Sequence, residues 1–191
     1  MPVVQTTLDT CSWEEFKNLS HDLNIFALEF QTFVNKSTIN PSRSVPLIQC
    51  NDQCHPEGLA ANKERCLKRI YEVLYYYEHY TLELFGEGSL HKNSHVSLKI
   101  NQMESHLRSI SNKVKPEVAN AITNITKKIH SLRRCLEKNG YKGNNTEEKD
   151  HPPITKSSIE YISGRFISVT PLIARVFALG DPSRHMSYQK K

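Results

Sequence analysis

Apolar residues recur at steps of three and four positions along most of this 191-residue chain, and no other feature limits the possible folds as strongly. Such spacing puts the apolar side chains on one face of a helix, so each stretch predicts an amphipathic helix that must bury that face. No segment alternates convincingly with period two, the pattern expected of a half-buried strand. The sequence therefore predicts an all-α protein. The most regular stretch steps through Val96, Ile100, Met103, Leu107, Ile110 and Val114.

The ends of the apolar stretches predict where the helices begin and end. Ser12 followed by Glu15 fits a capping box at the start of the first helix. Pro116 interrupts the third stretch, so we expect a kink or break there, and Pro171 should bend the last helix. The predicted helices span about 12–34, 57–85, 94–115 and 156–179, with an extra helical segment at about 117–138.

The connections between the predicted helices differ in length. The stretch from Asn35 to Pro56 is rich in proline and the stretch from Gly140 to Pro153 is polar, so both are predicted as long loops, whereas the second connection is short. A short connection makes neighbouring helices antiparallel, while a long one lets the chain cross the bundle before the next helix begins. This order predicts a single domain over residues 1–191, a long-chain four-helix bundle with up-up-down-down topology.

Several tyrosines of the second predicted helix lie off its apolar stripe. In one interpretation they pack at the edge of the core. In the other they form a protein-contact surface, because tyrosine is enriched at interface hot spots. The pattern alone leaves both interpretations open. The tyrosines are Tyr71, Tyr75, Tyr76 and Tyr80.

The charge balance excludes some classes of partner. The chain carries 25 Lys and Arg against 20 Asp and Glu, a net charge of +5. This excess fits an acidic protein or a glycosaminoglycan, but it falls short of the dense one-sided basic cluster typical of nucleic-acid binding. We interpret the basic pairs Lys127–Lys128 and Arg133–Arg134 as a solvated helix face. No apolar run of about eighteen residues occurs, so membrane insertion is not expected.

The N-terminal sequence MPVVQTTLDTC lacks both the basic region and the apolar core of a signal peptide. The chain is then either intracellular or a mature secreted form that carries an added start methionine. Sequons for N-linked glycans and the cysteine pattern favour secretion, and we expect an extracellular glycoprotein. The candidate glycosylation sites are Asn18, Asn35, Asn124 and Asn144.

The five cysteines form an odd set, which in a secreted protein suggests that one is reserved for another chain. Cys54 lies just before the second helix and Cys66 within it, so we predict that a disulfide between them closes a small loop. In the predicted topology the first helix begins where the third ends, and we predict that Cys11 pairs with Cys135. Cys50, at the end of the proline-rich loop, is expected to be exposed.

Other chemistry for these residues has less support. A zinc site could use Cys50, Cys54, His55 and Cys66, but their spacing fits no standard zinc finger and no second close pair follows. A catalytic thiol would need a positioned base, and no local signature supplies one. No catalytic or phosphate-binding motif occurs. We therefore predict no enzyme activity, no catalytic residue, no cofactor and no bound metal.

Arg175 lies off the apolar stripe of the last helix, with Leu172 and Leu179 within about 60° of it on the helical wheel. The helix thus carries a second apolar strip with a cation in its middle. In one interpretation this is an amphipathic arginine that covers neighbouring apolar surface. In the other it is an interface anchor, because arginine is enriched at interface cores and pairs bidentately with carboxylates.

Four stretches resemble the interleukin-23 alpha-subunit family, within the interleukin-6/interleukin-12 group of helical cytokines. VPLIQCNDQCHPEGLAANKERCLKRI, at 45–70, closely resembles the loop and the start of the second helix in that family. ARVFALG, at 174–180, resembles the end of its last helix. LSHDL at 19–23 and KPE at 115–117 fall in matching order.

The resemblance implies a secreted cytokine subunit that pairs with the interleukin-12/23 beta subunit and activates cell-surface cytokine receptor chains in immune and inflammatory signalling. By position, Cys50 resembles the cysteine that bonds the beta subunit, and Cys54 and Cys66 resemble the internal pair. Arg175 resembles the arginine that enters an acidic pocket on the beta subunit, so Leu172 and Leu179 beside it are also expected to contact the partner.

The chain departs from the family at its expected receptor contact. The family has a tryptophan near the start of the last helix that contacts the signalling receptor, whereas this chain has Pro153 and Ile154 in that region. We take these two residues as the candidate receptor contact. The alternatives to a heterodimer subunit are a stand-alone cytokine like interleukin-6 and an intracellular helical adaptor.

Overall fold

The computed structural model describes residues 10–32, 46–85, 116–143 and 156–182. Within these ranges the chain is helical and contains no strand, which confirms the all-α prediction. The helix predicted at about 94–115 lies outside the described residues. The described elements are α1 (Trp13–Gln31), a short 3-10 turn (Cys50–Asp52), α2 (Pro56–Phe85), α3 (Pro116–Lys138) and α4 (Lys156–Ala178).

Local chemistry explains several helix ends. The Ser12 hydroxyl accepts a hydrogen bond from the backbone N–H of Glu15 at 3.2 Å and caps α1. Pro116, where a break was expected, is the first residue of α3, a position at which its fixed φ suits a helix and its missing N–H costs nothing. Gly180 ends α4 with a φ of 82°, a left-handed conformation that glycine adopts without a steric penalty.

One described helix contains an internal proline, and another contains a non-helical residue. α4 continues through Pro171 as one helix from Lys156 to Ala178, and the bend expected at Pro171 stays a prediction. α2, in contrast, contains a non-helical residue that the sequence did not predict, Asn62 with φ −157° and ψ 81°. The segment before Asn62, residues 56–61, is therefore offset from the rest of the helix.

The contacts of α1 fix its direction relative to two neighbours. Near its start, the Trp13 ring lies 5.2 Å from that of Phe177, close to the end of α4. Further along, Asn24 accepts a hydrogen bond from the hydroxyl of Thr170, which comes earlier in α4. α1 and α4 are therefore antiparallel. The disulfide at Cys11 and Cys135 and the ion pair of Asp22 with Lys128 show by the same reasoning that α1 and α3 are antiparallel.

The contacts of α2 complete the topology. Tyr71 pairs with Glu137, and Glu78 pairs with His130, so α2 and α3 are antiparallel. α1 and α2 consequently run in one direction while α3 and α4 run in the other. The described helices therefore run up-up-down-down as predicted, but the third place is taken by Pro116–Lys138, which the sequence analysis treated as an extra segment after a third helix at about 94–115. Because α3 and α4 each pack against both α1 and α2, they occupy opposite corners of the bundle.

Tyr71 lies in the core, although the sequence analysis expected it either at the edge of the core or in a protein-contact surface. Tyr71 is fully buried, and its hydroxyl donates a hydrogen bond to Glu137 at 2.8 Å. The wheel of α2 alone could not predict this, because the acceptor comes from α3. The largest fully buried side chains are Tyr71, Tyr77, Phe16, Phe177, Leu23, Leu67, Ile70, Leu74, Ile129, Leu132 and Leu136.

The interpretation of the two basic pairs as a solvated face is half wrong. Lys127 and Arg134 are exposed, but Lys128 forms an ion pair with Asp22 at 3.0 Å. Arg133 is only 14% exposed, and its guanidinium donates to the carboxylates of Glu78 and Glu137. The physical reason is that adjacent helix positions are 100° apart, so a basic pair can divide between solvent and a neighbouring helix.

Candidate partner-binding surface

The outward face of α4 near its C-terminal end is an apolar strip with one cation. Leu172 is 39% exposed, Leu179 is 55% exposed, and Arg175 between them is exposed. The next residues on the inner side, Val176 and Phe177, are buried in the core. Within the described part of the chain, Arg175 forms no ion pair, so its guanidinium is available to a partner.

Trp13 fixes the end of α4 that carries this strip. Its indole Nε1 donates a hydrogen bond to the backbone carbonyl of Phe177 at 3.2 Å, and its ring packs on those of Phe16 and Phe177. Phe16 and Phe177 stack on each other with centroids 5.0 Å apart. The only tryptophan of the chain therefore packs the start of α1 against the end of α4 that carries the strip.

Cys50 lies on the short turn that precedes α2, and its thiol is free and exposed. Asp52 stabilises the turn by accepting a hydrogen bond from the backbone N–H of Gln49 at 2.6 Å. Gln53 then adopts a left-handed conformation with φ 61°, which is uncommon for a residue with a side chain. The sequence correctly predicted exposure of Cys50 but not the turn around it.

Arg69 connects this turn to α2, and sequence reasoning missed it. Its Nε donates to the Leu47 carbonyl at 3.0 Å and lies 3.6 Å from the Asp52 carboxylate, while its Nη1 pairs with Glu72 at 3.0 Å. These contacts bracket Cys50 on both sides in the sequence. Arg69 and Glu72 are three positions apart on a helix, and this spacing predicts their ion pair. The local sequence does not predict that Arg69 also contacts the loop before the helix.

A disulfide joins Cys54 to Cys66, with a Cα–Cα distance of 5.0 Å. Gly58 allows the chain to pack tightly inside this small loop, because a Cβ there would lie 2.8 Å from the Gln53 carbonyl oxygen. His55 caps the start of α2, since its Nδ1 accepts a hydrogen bond from the Gly58 N–H at 2.9 Å. The turn that carries Cys50 is thus covalently tied to the second helix.

A groove runs between the start of α2 and the end of α4. Its volume is about 280 Å³, and its walls are almost entirely apolar. Pro56, the first residue of α2 and four positions after the end of the Cys50 turn, lines one side, while Leu179 of the α4 strip lines the other. The groove therefore lies next to the strip, on the helix that follows the turn. Its lining residues are Pro56, Glu57, Leu59, Ala60, Val176, Leu179, Gly180 and Pro182.

A second disulfide joins Cys11 to Cys135, with a Cα–Cα distance of 5.4 Å. Asn139, just after α3, adds two hydrogen bonds to the backbone of Cys11, each 2.9 Å long. These contacts link the start of α1 to the end of α3. Pairing of Cys11 with Cys135 and of Cys54 with Cys66 leaves Cys50 as the free thiol, and it leaves no free thiolate at Cys54 or Cys66 for the alternative zinc site.

Two of the candidate glycosylation residues lie in the described part of the chain. Asn18 is exposed on the outer side of α1. Asn124 is half-buried, and its sequon residue Thr126 is fully buried with its hydroxyl donating to the Ile122 carbonyl at 2.9 Å. The other candidates, Asn35, Asn144, Pro153 and Ile154, lie outside the described residues.

Comparison with known families finds one match that extends over most of the described bundle. The family described as interleukin 23 subunit alpha matches residues 11–136 of the 191-residue chain. This range begins at Cys11 and includes α1, the Cys50 turn and α2. It continues through most of α3 and ends before α4.

Individual relatives agree with the family match. Interleukin-23 subunit alpha of Rattus norvegicus is 32% identical over 114 residues, 55% of this chain and 56% of the relative. The protein of that name from Homo sapiens is 32% identical over 114 residues, 56% of this chain and 58% of the relative. The Sus scrofa protein is 39% identical over 75 residues, 38% of this chain and 37% of the relative. The chain thus spans at most little more than half the length of these relatives.

Proposed function

The chain belongs to the interleukin 23 subunit alpha family, and on that premise we propose that it is a secreted subunit of a heterodimeric cytokine. It is a cytokine-family protein and not an enzyme. Its partner is the interleukin-12/23 beta subunit, and the heterodimer activates cell-surface cytokine receptor chains in immune and inflammatory signalling. No described helix is long and apolar enough to cross a membrane.

The observation that carries the proposal is the apolar groove between α2 and α4. It is lined on one side by Pro56, six positions after the free thiol of Cys50, and on the other by Leu179, which belongs to the same exposed strip as Leu172 and Arg175. One partner surface laid across this end of the bundle can reach both features. Large exposed apolar side chains beside a cation are typical of the centre of a protein interface rather than of solvated surface.

Arg175 acts as the anchor of the interface in this proposal. Its planar guanidinium presents a rigid fork of N–H donors that fits a carboxylate bidentately, which the point charge of a lysine cannot do. In an acidic pocket of the beta subunit it loses water and gains charge-assisted hydrogen bonds. Leu172 and Leu179 exclude water around it, so that the electrostatic attraction is less screened.

Cys50 supplies the covalent link. Its thiol is exposed, and the turn around it is held by Arg69, Asp52 and the disulfide at Cys54. A thiol held on a fixed turn is presented in a defined direction, which favours a disulfide with one partner cysteine. A stand-alone cytokine, the alternative function, has no use for an exposed free thiol.

Co-expression with the beta subunit tests the covalent part of the proposal. Secreted material should migrate as one disulfide-linked heterodimer on a non-reducing gel, and Cys50→Ser should convert it to two separate chains. Secretion of the wild-type chain as a disulfide-bonded monomer in the presence of the beta subunit would favour the stand-alone cytokine. Five free thiols in the recovered protein would favour the intracellular adaptor.

The anchor role of Arg175 is tested in a Cys50→Ser background, where the interchain disulfide cannot hide a loss of affinity. Truncating one partner of a desolvated charge pair costs about 2–5 kcal/mol, so Arg175→Ala should raise the Kd by roughly thirtyfold or more. Arg175→Lys should also weaken binding. The matched control is Arg65→Ala, which removes another exposed arginine, on α2. Equal affinities of Arg175→Ala and its parent would show that Arg175 is only a surface residue.

A further inference from the structure

A row of cations runs along the outer side of α3, a different helix from the one that carries the strip around Arg175. Lys127, Arg134 and Lys138 are all exposed, and we call them the cationic ridge. They are seven and four positions apart, so at 100° per residue they lie within about 40° of one another on the helical wheel. The rise of the helix spreads them over about 16 Å. The ridge is therefore a straight line of positive charge.

The positive charge of the ridge is not cancelled by the nearest carboxylate. Glu137 lies 3.3 Å from Arg134, but its carboxylate also accepts hydrogen bonds from Arg133 at 2.6 Å and from Tyr71 at 2.8 Å. Its charge is largely engaged at the α2–α3 contact. The Arg134 side chain is 56% exposed, so its remaining attraction to Glu137 is screened by water.

The surroundings of the ridge are polar, unlike those of a protein interface. The large exposed apolar residues of the described chain are Ile25, Leu28, Leu172 and Leu179, and none is on α3. The exposed residue between the cations is Ser131. Protein interfaces need a buried apolar or aromatic centre, whereas a linear polyanion needs only a line of cations to match its repeated charges.

We propose that the cationic ridge binds a sulfated glycosaminoglycan. Lys and Arg side chains donate charge-assisted hydrogen bonds to sulfate oxygens, and release of condensed counterions from a linear polyanion favours binding. The ridge lies on the side of α3 opposite its buried residues, and α3 and α4 occupy opposite corners of the bundle. A glycosaminoglycan on the ridge and a protein on the α4 strip can therefore bind together, and the proposal does not depend on the proposed beta subunit.

Heparin affinity of the full chain tests the ridge without any partner. The test variant is Lys127→Gln, Arg134→Gln, Lys138→Gln. The matched control is Lys17→Gln, Arg65→Gln, Lys68→Gln, which removes the same charge from solvent-accessible positions on α1 and α2. Binding to heparin is measured at several NaCl concentrations, and circular dichroism establishes that both variants keep the wild-type fold.

The ridge variant should elute from heparin at a lower NaCl concentration than the control variant. Its plot of log K against log salt should also lose about two to three units of slope, as expected when three contacts are removed. Equal losses in the two variants would overturn the proposal, because they would show a response to net charge alone. Binding of a double-stranded DNA oligonucleotide or of an acidic peptide as tightly as heparin would also overturn it.

Discussion

Along the contact between α1 and α4, the rings of Trp13, Phe16 and Phe177 pack against one another, with centroids 5.0 to 5.9 Å apart. Along the contact between α2 and α3, charged groups meet instead, with Arg133 between Glu78 and Glu137. Both contacts join antiparallel helices of the same bundle. The first is apolar and non-directional, so its contribution to stability does not depend on the protonation of a side chain. The second depends on aligned hydrogen bonds and therefore fixes the register of the helices.

The charged contact owes its electrostatic character to burial. The Glu78 side chain is 8% exposed, and its carboxylate lies 2.7 Å from Nδ1 of His130 as well as next to Arg133. Burial alone would raise the pKa of Glu78, but the hydrogen bonds from His130 and Arg133 outweigh it, and the pKa lies below its ordinary value. Burial and the hydrogen bond to Glu137 raise the pKa of Tyr71. The contact therefore favours an ionised Glu78 and a neutral Tyr71.

The largest expected effect is at the aromatic contact. Phe177→Ala removes a fully buried ring that stacks on Phe16, so it should cost about 3–5 kcal/mol of unfolding free energy. Equilibrium denaturation with guanidinium chloride measures the loss. Leu28→Ala, at a residue that is 52% exposed on α1, is the control and should change stability by about 0.5 kcal/mol or less. A similar small change for Phe177→Ala would show that this contact is not a main source of stability.

A somewhat smaller loss is expected at the charged contact. Arg133→Ala removes the guanidinium from the buried carboxylate of Glu78 and from the partly buried carboxylate of Glu137, and should cost about 3 kcal/mol. Adding Glu78→Leu should recover part of the loss, because removing both partners of a buried pair costs less than removing one. The neighbouring Arg134→Ala, at an exposed position, serves as the control in the same denaturation experiment. No recovery in the double variant would show that Arg133 acts through packing rather than charge.

The change in unfolding free energy between neutral and acidic pH should be smaller than the loss expected for Arg133→Ala. The folded pKa of Glu78 is lowered, so its contribution is present above the unfolded pKa and is lost as the pH falls through the folded pKa. Unfolding free energies measured from neutral pH downward should decline in that acidic range. Glu78→Gln should flatten this part of the curve, whereas Phe177→Ala should shift the whole curve down. An unchanged acid dependence in Glu78→Gln would assign it to other carboxylates.

The smallest loss of stability is expected for a variant of Trp13 that separates ring packing from hydrogen bonding in the aromatic contact. Trp13→Phe keeps an aromatic ring but removes the indole N–H that donates to the Phe177 carbonyl at 3.2 Å. The expected loss is about 1 kcal/mol, the usual net value of one hydrogen bond. Comparing the thermal unfolding of Trp13→Phe and Trp13→Ala measures the contributions of the hydrogen bond and of the ring. If the two variants lose equally, the hydrogen bond and not the ring carries the contribution of Trp13.

Local periodicity was sufficient to predict the positions of the described helices and the exposed strip on the outer face of α4. The described helices begin and end close to the predicted positions, because apolar spacing, Pro116 and Gly180 act within a few residues. The wheel of α4 alone put Arg175 off the core stripe between Leu172 and Leu179, and all three are exposed. The cysteine that should be exposed, Cys50, was also identified from its position in the proline-rich loop.

Contacts between residues of different helices could not be predicted from the sequence and were identified from the folded structure. Tyr71 is in the core because α3 supplies Glu137, and Arg133 is held at the α2–α3 contact rather than in solvent because α2 supplies Glu78. Arg69 reaches back to Leu47 across twenty-two positions, a contact that no wheel contains. The groove between α2 and α4 likewise exists only in the assembled bundle. Periodicity assigns a side chain to a face of its own helix, but its partner, and hence its energy, depends on which helix packs against that face.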